Sequence, residues 1–186
     1  MLITSRSGDL SRRAQSCPPA LYDPVALIEF TLEDGEVCIK YAHTLTTYRR
    51  QGYMTHLLLT MLESLNEDEE PIQSVCALVE DGDSATTRLF SSFGLEMQHR
   101  ATEFAFDRIP HKGRVMSADS TQLHDATKAI IEARGRDVTV QVMICLYTCK
   151  EALDVASYKE FEKERDKRSF RRPADDREYA ILYVKL

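Results

Sequence analysis

Two neighbouring arginines and a glycine carry the clearest chemical potential in this chain. Arg49 and Arg50 are followed by Gln51 and Gly52, then by Tyr53, Met54 and Thr55 at the head of an apolar-patterned segment. Met54, Leu57, Leu58, Met61, Leu62 and Leu65 recur at three- and four-residue spacing, which predicts an amphipathic helix. The residues before the turn, ending in Thr44 and Leu45, read as a strand. A strand that passes through a short turn into a helix leaves the first helical amides unpaired and facing outward. Those amides and the helix dipole favour an anion. Gly52 lets the backbone approach that anion closely, and the guanidinium groups add charge beside it. Without a ligand, the arginines are exposed charges that oppose the dipole. The mismatch predicts a pyrophosphate cradle over residues 49–55.

The elements that position this stretch can be read on either side of it. Residues 1–24 are polar and punctuated by Pro18, Pro19 and Pro24, the pattern of an N-terminal arm. Val25–Phe30 reads as a short buried strand, Glu33-Asp34-Gly35 as a hairpin turn, and 36–45 as the return strand that delivers the chain to the cradle. The acidic run Glu67–Glu70 ends the helix in a solvated loop. Ile72–Val79 reads as a second apolar strand. Asp83 caps a further helix whose buried side holds Ala85, Leu89, Phe90 and Phe93, and Gly94 is its left-handed stop. A strand over 95–106 follows. The order strand, strand, helix, strand, helix, strand predicts an α+β or mixed α/β sandwich. Ile109–Gly113 reads as a boundary, dividing a core over 25–110 from a part over 111–186. That part is expected to hold a helix over 119–134, a strand over 138–147, a charged helix over 150–168 and a final strand over 179–184. Completing the sheet, covering its open edge and mediating a homodimer are all open to it.

The chain has 186 residues, 43% hydrophobic and 29% charged, enough for one domain with a full core or one domain plus an appendage. A net charge of -6 gives no sign of nucleic-acid binding. Arg168-Ser169-Phe170-Arg171-Arg172 is basic but has no stacking platform beside it. Cys17, Cys38, Cys76, Cys145 and Cys149 are odd in number and lack ligand spacing, so no metal site is expected. At least three lie in apolar runs, where they read as free core thiols of an intracellular, cytoplasmic protein. No apolar run approaches the roughly 18 residues of a membrane span.

Arg49-Arg50-Gln51-Gly52-Tyr53-Met54 resembles the acetyl-CoA-binding motif of the GCN5-related N-acetyltransferases, written Q/R-x-x-G-x-G/A. Asp83–Leu95 is similar to that family's later helix, which ends in an apolar-Gly-apolar step. The resemblance covers about residues 25–107 and implies a mixed, mostly antiparallel sheet flanked by helices. It also implies acetyl-CoA as acyl donor and an amine, from a small molecule or a protein, as acceptor. By this resemblance the pyrophosphate lies on the amides of 49–55. The pantetheine arm then bonds to backbone near Thr44 and Leu45. Three positions depart from the family pattern. Met54 replaces Gly or Ala, Thr46 stands where proline is common, and Phe90 stands where many members carry a tyrosine acid.

Members of the histone acetyltransferase branch also lack that tyrosine and use a carboxylate on the preceding strand, which makes Glu36 a candidate base. Cys38 and Tyr41 share its strand. So does His43, whose imidazole titrates near neutrality. As ordinary residues, Glu36 is a solvated hairpin side chain and His43 a hydrogen-bonded strand end. His56 reads as a surface or cofactor-edge residue. The competing function is a catalytically silent relative that uses the fold, with or without CoA, as an interaction module.

Overall fold

The computed structural model describes residues 22–66, 71–106, 109–134, 142–148, 158–164 and 178–185. The expected arm up to residue 21, the acidic run Glu67–Glu70 and the basic 168–172 stretch lie outside these. The architecture is mixed α/β, with strands paired mostly antiparallel. Backbone contacts divide the chain into two compact units. The first comprises Met1–Phe30, Tyr41–Glu69 and Val138–Leu186, the second Thr31–Lys40 and Glu70–Asp137.

In the first unit, strand β1 (Tyr22–Glu33) pairs antiparallel with β7 (Glu178–Lys185), and β7 pairs antiparallel with β6 (Val142–Thr148). β1 is longer than the buried core Val25–Phe30 that marks it in the sequence. β7 is apolar through its centre, and Tyr179–Tyr183 are fully buried. Such a continuous apolar run can survive in a strand only when both of its faces are covered. One cover is helix α1 (Tyr53–Asn66), which packs on β7 and buries Leu57, Leu58, Met61, Leu62 and Leu65. Met54, expected in that stripe, is only half-buried. Truncating one of the buried leucines to alanine costs about 2–5 kcal/mol. Helix α4 (Tyr158–Glu164) buries Phe161.

In the first unit the C-terminal strands β6 and β7 extend the sheet that begins with β1. Ile109–Gly113, expected as a boundary, opens strand β5 (Ile109–Asp119) instead. Its proline and glycine suggested a break, but β5 is hydrogen-bonded on one side to β3 (Ser74–Glu80) and on the other to β4 (Glu96–Phe106).

β3, β4 and β5 form the second unit together with the start of β2 (Glu36–Thr44), which pairs in parallel with β3 from Glu36 to Ile39. Asp34 and Gly35, both at positive φ, make the two-residue turn between β1 and β2. Cys38 and Cys76 are register partners and form a disulfide, where the sequence suggested free thiols. Local composition carries no trace of that register, which depends on a crossover of 38 residues. Helix α2 (Ser84–Ser92) is capped by Asp83, whose carboxylate accepts the amides of Ala85 and Thr86. Phe90 and Phe93 are buried as expected, but Ala85 is exposed because it lies in the first turn, on the solvent side. Gly94 sits at φ 81°, and a Cβ there would lie 2.9 Å from the carbonyl of Gln122. Helix α3 (Ser120–Arg134) begins with a reciprocal box. Gln122 N–H donates to Asp119 Oδ1 at 2.8 Å, and Asp119 N–H donates to Gln122 Oε1 at 3.0 Å.

Tyr22, at the start of β1, is the register partner of Lys185, at the end of β7. A version of residues 22–185 with 185 joined to 22 by a short Gly/Ser linker, and opened between 134 and 142, should keep a cooperative thermal transition. Circular-dichroism melting beside the unpermuted 22–185 chain checks this. Loss of the transition contradicts the β1–β7 pairing.

Candidate anion-binding site

The stretch expected as a cradle, residues 49–55, lies within the first unit. β2 ends at Thr44, a single 3₁₀ turn covers Thr46–Tyr48, and α1 begins at Tyr53. The chain between them adopts left-handed backbone twice, at Arg50 (φ 65°) and at Gly52 (φ 84°). Gly52 takes this conformation freely. For Arg50 it costs about 1–2 kcal/mol. Strain of this kind persists only where the surrounding structure fixes it. The first helical bond of α1 runs from His56 N–H to Gly52 O at 3.0 Å. The amides of Tyr53, Met54 and Thr55 thus precede the helical ladder and remain donors at a positive dipole end.

The side chains of the turn fold back on it. Arg49 Nε donates to the carbonyl of Thr44 at 3.1 Å, and Gln51 Nε2 donates to the carbonyl of Thr47 at 3.3 Å. Arg49 and Arg50 are both exposed, and bracing through Nε leaves the Arg49 Nη atoms as further donors. Leu45 is engaged twice, its N–H donating to Val25 O and its C=O accepting from Tyr48 N–H. The carbonyls of Thr44 and Leu45 can therefore take an external donor only on a second lone pair. Tyr53 stands edge-on to Tyr48, whose hydroxyl donates to Asp23 at 3.2 Å. Burial and then the Asp23 carboxylate push the Tyr48 phenol up from its ordinary value.

The two candidate bases fall in different units. Glu36 is an exposed first residue of β2 in the second unit, and His43 belongs to the unit of the cradle. The His43 ring stacks on Tyr41, meets Phe161 edge-on and lies with Nε2 3.2 Å from Glu164 Oε2.

Glu164 is the residue that sequence reasoning missed. Besides His43, its carboxylate accepts the Thr46 hydroxyl at 2.9 Å and the Thr46 amide at 3.0 Å. Burial pushes this carboxyl up, but the bonds from Thr46 and His43 outweigh it and hold it below its ordinary value. Thr46 is the only trace the sequence carries of this arrangement, since the proline common there would have no N–H to donate.

His56 is half-buried rather than on the surface, and its Nε2 is enclosed without a hydrogen-bond partner among the described residues. Desolvation lowers its pKa. Among the described residues no group of His, Cys, Asp and Glu is placed to hold a metal, and no helix is long and apolar enough to cross a membrane.

No family model and no curated protein matches the chain. Solved structures similar to it include Naa50 of Arabidopsis thaliana in complex with the bisubstrate analogue CoA-Ac-MVNAL. That match has 22% identity over 51% of this chain and 65% of that one, with a TM-score of 0.43. NAA60 of Arabidopsis thaliana in complex with acetyl-CoA matches at 15% identity over 45% and 48%, with a TM-score of 0.39. The ribosomal-protein-S18-alanine N-acetyltransferase of Escherichia coli matches at 15% identity over 59% and 83%, with a TM-score of 0.43. The chain thus spans less than two thirds of the length of either plant protein.

The buried, neutral His56 sets a pH dependence. Below the ordinary histidine value of 6.5 the unfolded chain binds a proton that folded His56 resists, so stability falls as pH drops toward the folded value. Glu164 acts in a lower window, its contribution being present above 4.5 and lost below. Melting temperature should decline between about pH 7 and about pH 5, and less steeply in His56→Gln. Equal slopes in the two proteins would contradict a neutral buried His56.

Proposed function

We propose that the chain is an acetyl-CoA-dependent N-acetyltransferase of the GCN5-related type, transferring an acetyl group to a primary amine of a small molecule or a protein. The turn at 49–55 carries this reading. Left-handed backbone at Arg50 and Gly52 leads into a helix start whose first three amides have no acceptor among the described residues, with two exposed arginines beside them. In this reading the pyrophosphate of CoA rests on the amides of Tyr53, Met54 and Thr55, and Arg49 and Arg50 neutralise its charge. Met54, where the family pattern has Gly or Ala, is half-buried at the head of the helix.

The amine nitrogen attacks the thioester carbonyl. A C–N bond forms, the C–S bond breaks, and the thiolate leaves with the electron pair and takes up the proton that the amine loses. Holding the amine neutral and aligned supplies much of the rate. His43 is the base candidate that shares a unit with the cradle, and its imidazole is fixed by stacking and by Glu164. One observation favours the silent interaction module instead. Phe90 is 1% exposed and has no proton to give where many family members carry a tyrosine.

The test has two parts. CoA should raise the melting temperature, and Gly52→Asp, which strains the turn and places a carboxylate at the anion, should abolish the shift. An undiminished shift in that variant removes the cradle. A thiol-release assay with polyamines, amino acids, aminoglycosides and histone-like peptides should then find an acceptor. Silence across the panel despite CoA binding favours the interaction module.

A further inference from the structure

We propose that Glu164 is a positioning residue for the anion-binding turn, acting from helix α4 on the first residue after β2. The inference rests on the functional reading above and adds to the site a residue 118 positions away in sequence. Both Glu164 oxygens are within hydrogen-bond distance of the Thr46 amide, at 3.0 and 3.3 Å, and Oε2 also accepts the Thr46 hydroxyl. Thr46 opens the 3₁₀ turn, and its own carbonyl lies 3.5 Å from the Arg49 N–H. Arg49 in turn braces Thr44 through its side chain. Glu164 therefore fixes one end of the bonded chain that fixes Arg49, and a carboxylate at the start of a helical turn also complements its dipole. His43 holds the same carboxylate from β2, and Phe161, one turn earlier on α4, is buried against the His43 ring.

A proline at position 46 would stiffen the turn through its own ring. Here a threonine does so through an outside partner. The Glu164 bonds thus stand in for the proline that is common at this position. Pre-organisation of this kind acts on ligand affinity, because a loose turn must be ordered when the anion arrives.

The test uses the full chain as wild type, Glu164→Ala and Glu164→Gln. Amide hydrogen exchange without ligand should be about tenfold or more faster across 46–52 in the alanine variant, and CoA should bind about tenfold more weakly by calorimetry. Glu164→Gln keeps an acceptor for Thr46 and should recover most of both effects. Unchanged exchange in Glu164→Ala overturns the positioning role whatever CoA does. Faster exchange with CoA affinity unchanged, or with no CoA binding in any of the three proteins, overturns the functional reading of the turn. Glutamine behaving like alanine contradicts the assignment of the Thr46 bonds.

Discussion

Backbone donors at the start of α1, without acceptors among the described residues, shape the turn that precedes them. A helix that begins at Tyr53 immediately after left-handed residues has no preceding carbonyls to satisfy its first amides. A side-chain cap, water or an anion must do so. The turn accepts a strained arginine at position 50 and folds Arg49 and Gln51 back onto its own carbonyls. These features stabilise one backbone path, along which the amides of Tyr53, Met54 and Thr55 have no acceptor among the described residues. A surface helix without a ligand would more simply have begun with a serine or aspartate cap, as α2 does with Asp83.

The scaffold behind the turn comes from both ends of the described chain. β1 supplies Val25, whose carbonyl receives the Leu45 amide, and β7 supplies the apolar strand on which α1 packs. β7 is the partner of β1, and α4 lies on the segment between β6 and β7. α4 is thus a structural neighbour of the turn after β2, and through Glu164 it bonds to Thr46. A truncation after β5 would remove a covering strand, a buried aromatic and the carboxylate at Thr46 together.

Local patterns made much of this legible. The three- and four-residue spacing from Leu57 to Leu65 reports the buried face of α1 because a single periodic surface meets a single partner. Asp83 and Gly94 mark the ends of α2 because capping and left-handed stops are properties of one or two residues. Long-range pairings were not legible. The Cys38–Cys76 disulfide follows from a parallel register, and the place of β7 beside β1 follows from a contact across more than 150 residues. Ile109–Gly113 misled because proline and glycine signal turns by composition, while its neighbours β3 and β4 determine that it is a strand. His56 was read as a surface group from its position one turn into the helix, but its burial depends on tertiary packing. Glu164 lies in a charge-rich helix where composition does not separate a hydrogen-bonded carboxylate from a solvated one.

In the proposed function the three amides that open α1 are the anion contacts. Amide chemical shifts in a ¹⁵N-labelled chain titrated with CoA, and separately with pantetheine, which lacks the pyrophosphate, test it most directly. CoA should shift the Tyr53, Met54 and Thr55 amides downfield, with Gly52 beside them, and pantetheine should leave those four unmoved. Equal responses to both compounds, or a CoA response that spares these amides, would contradict it.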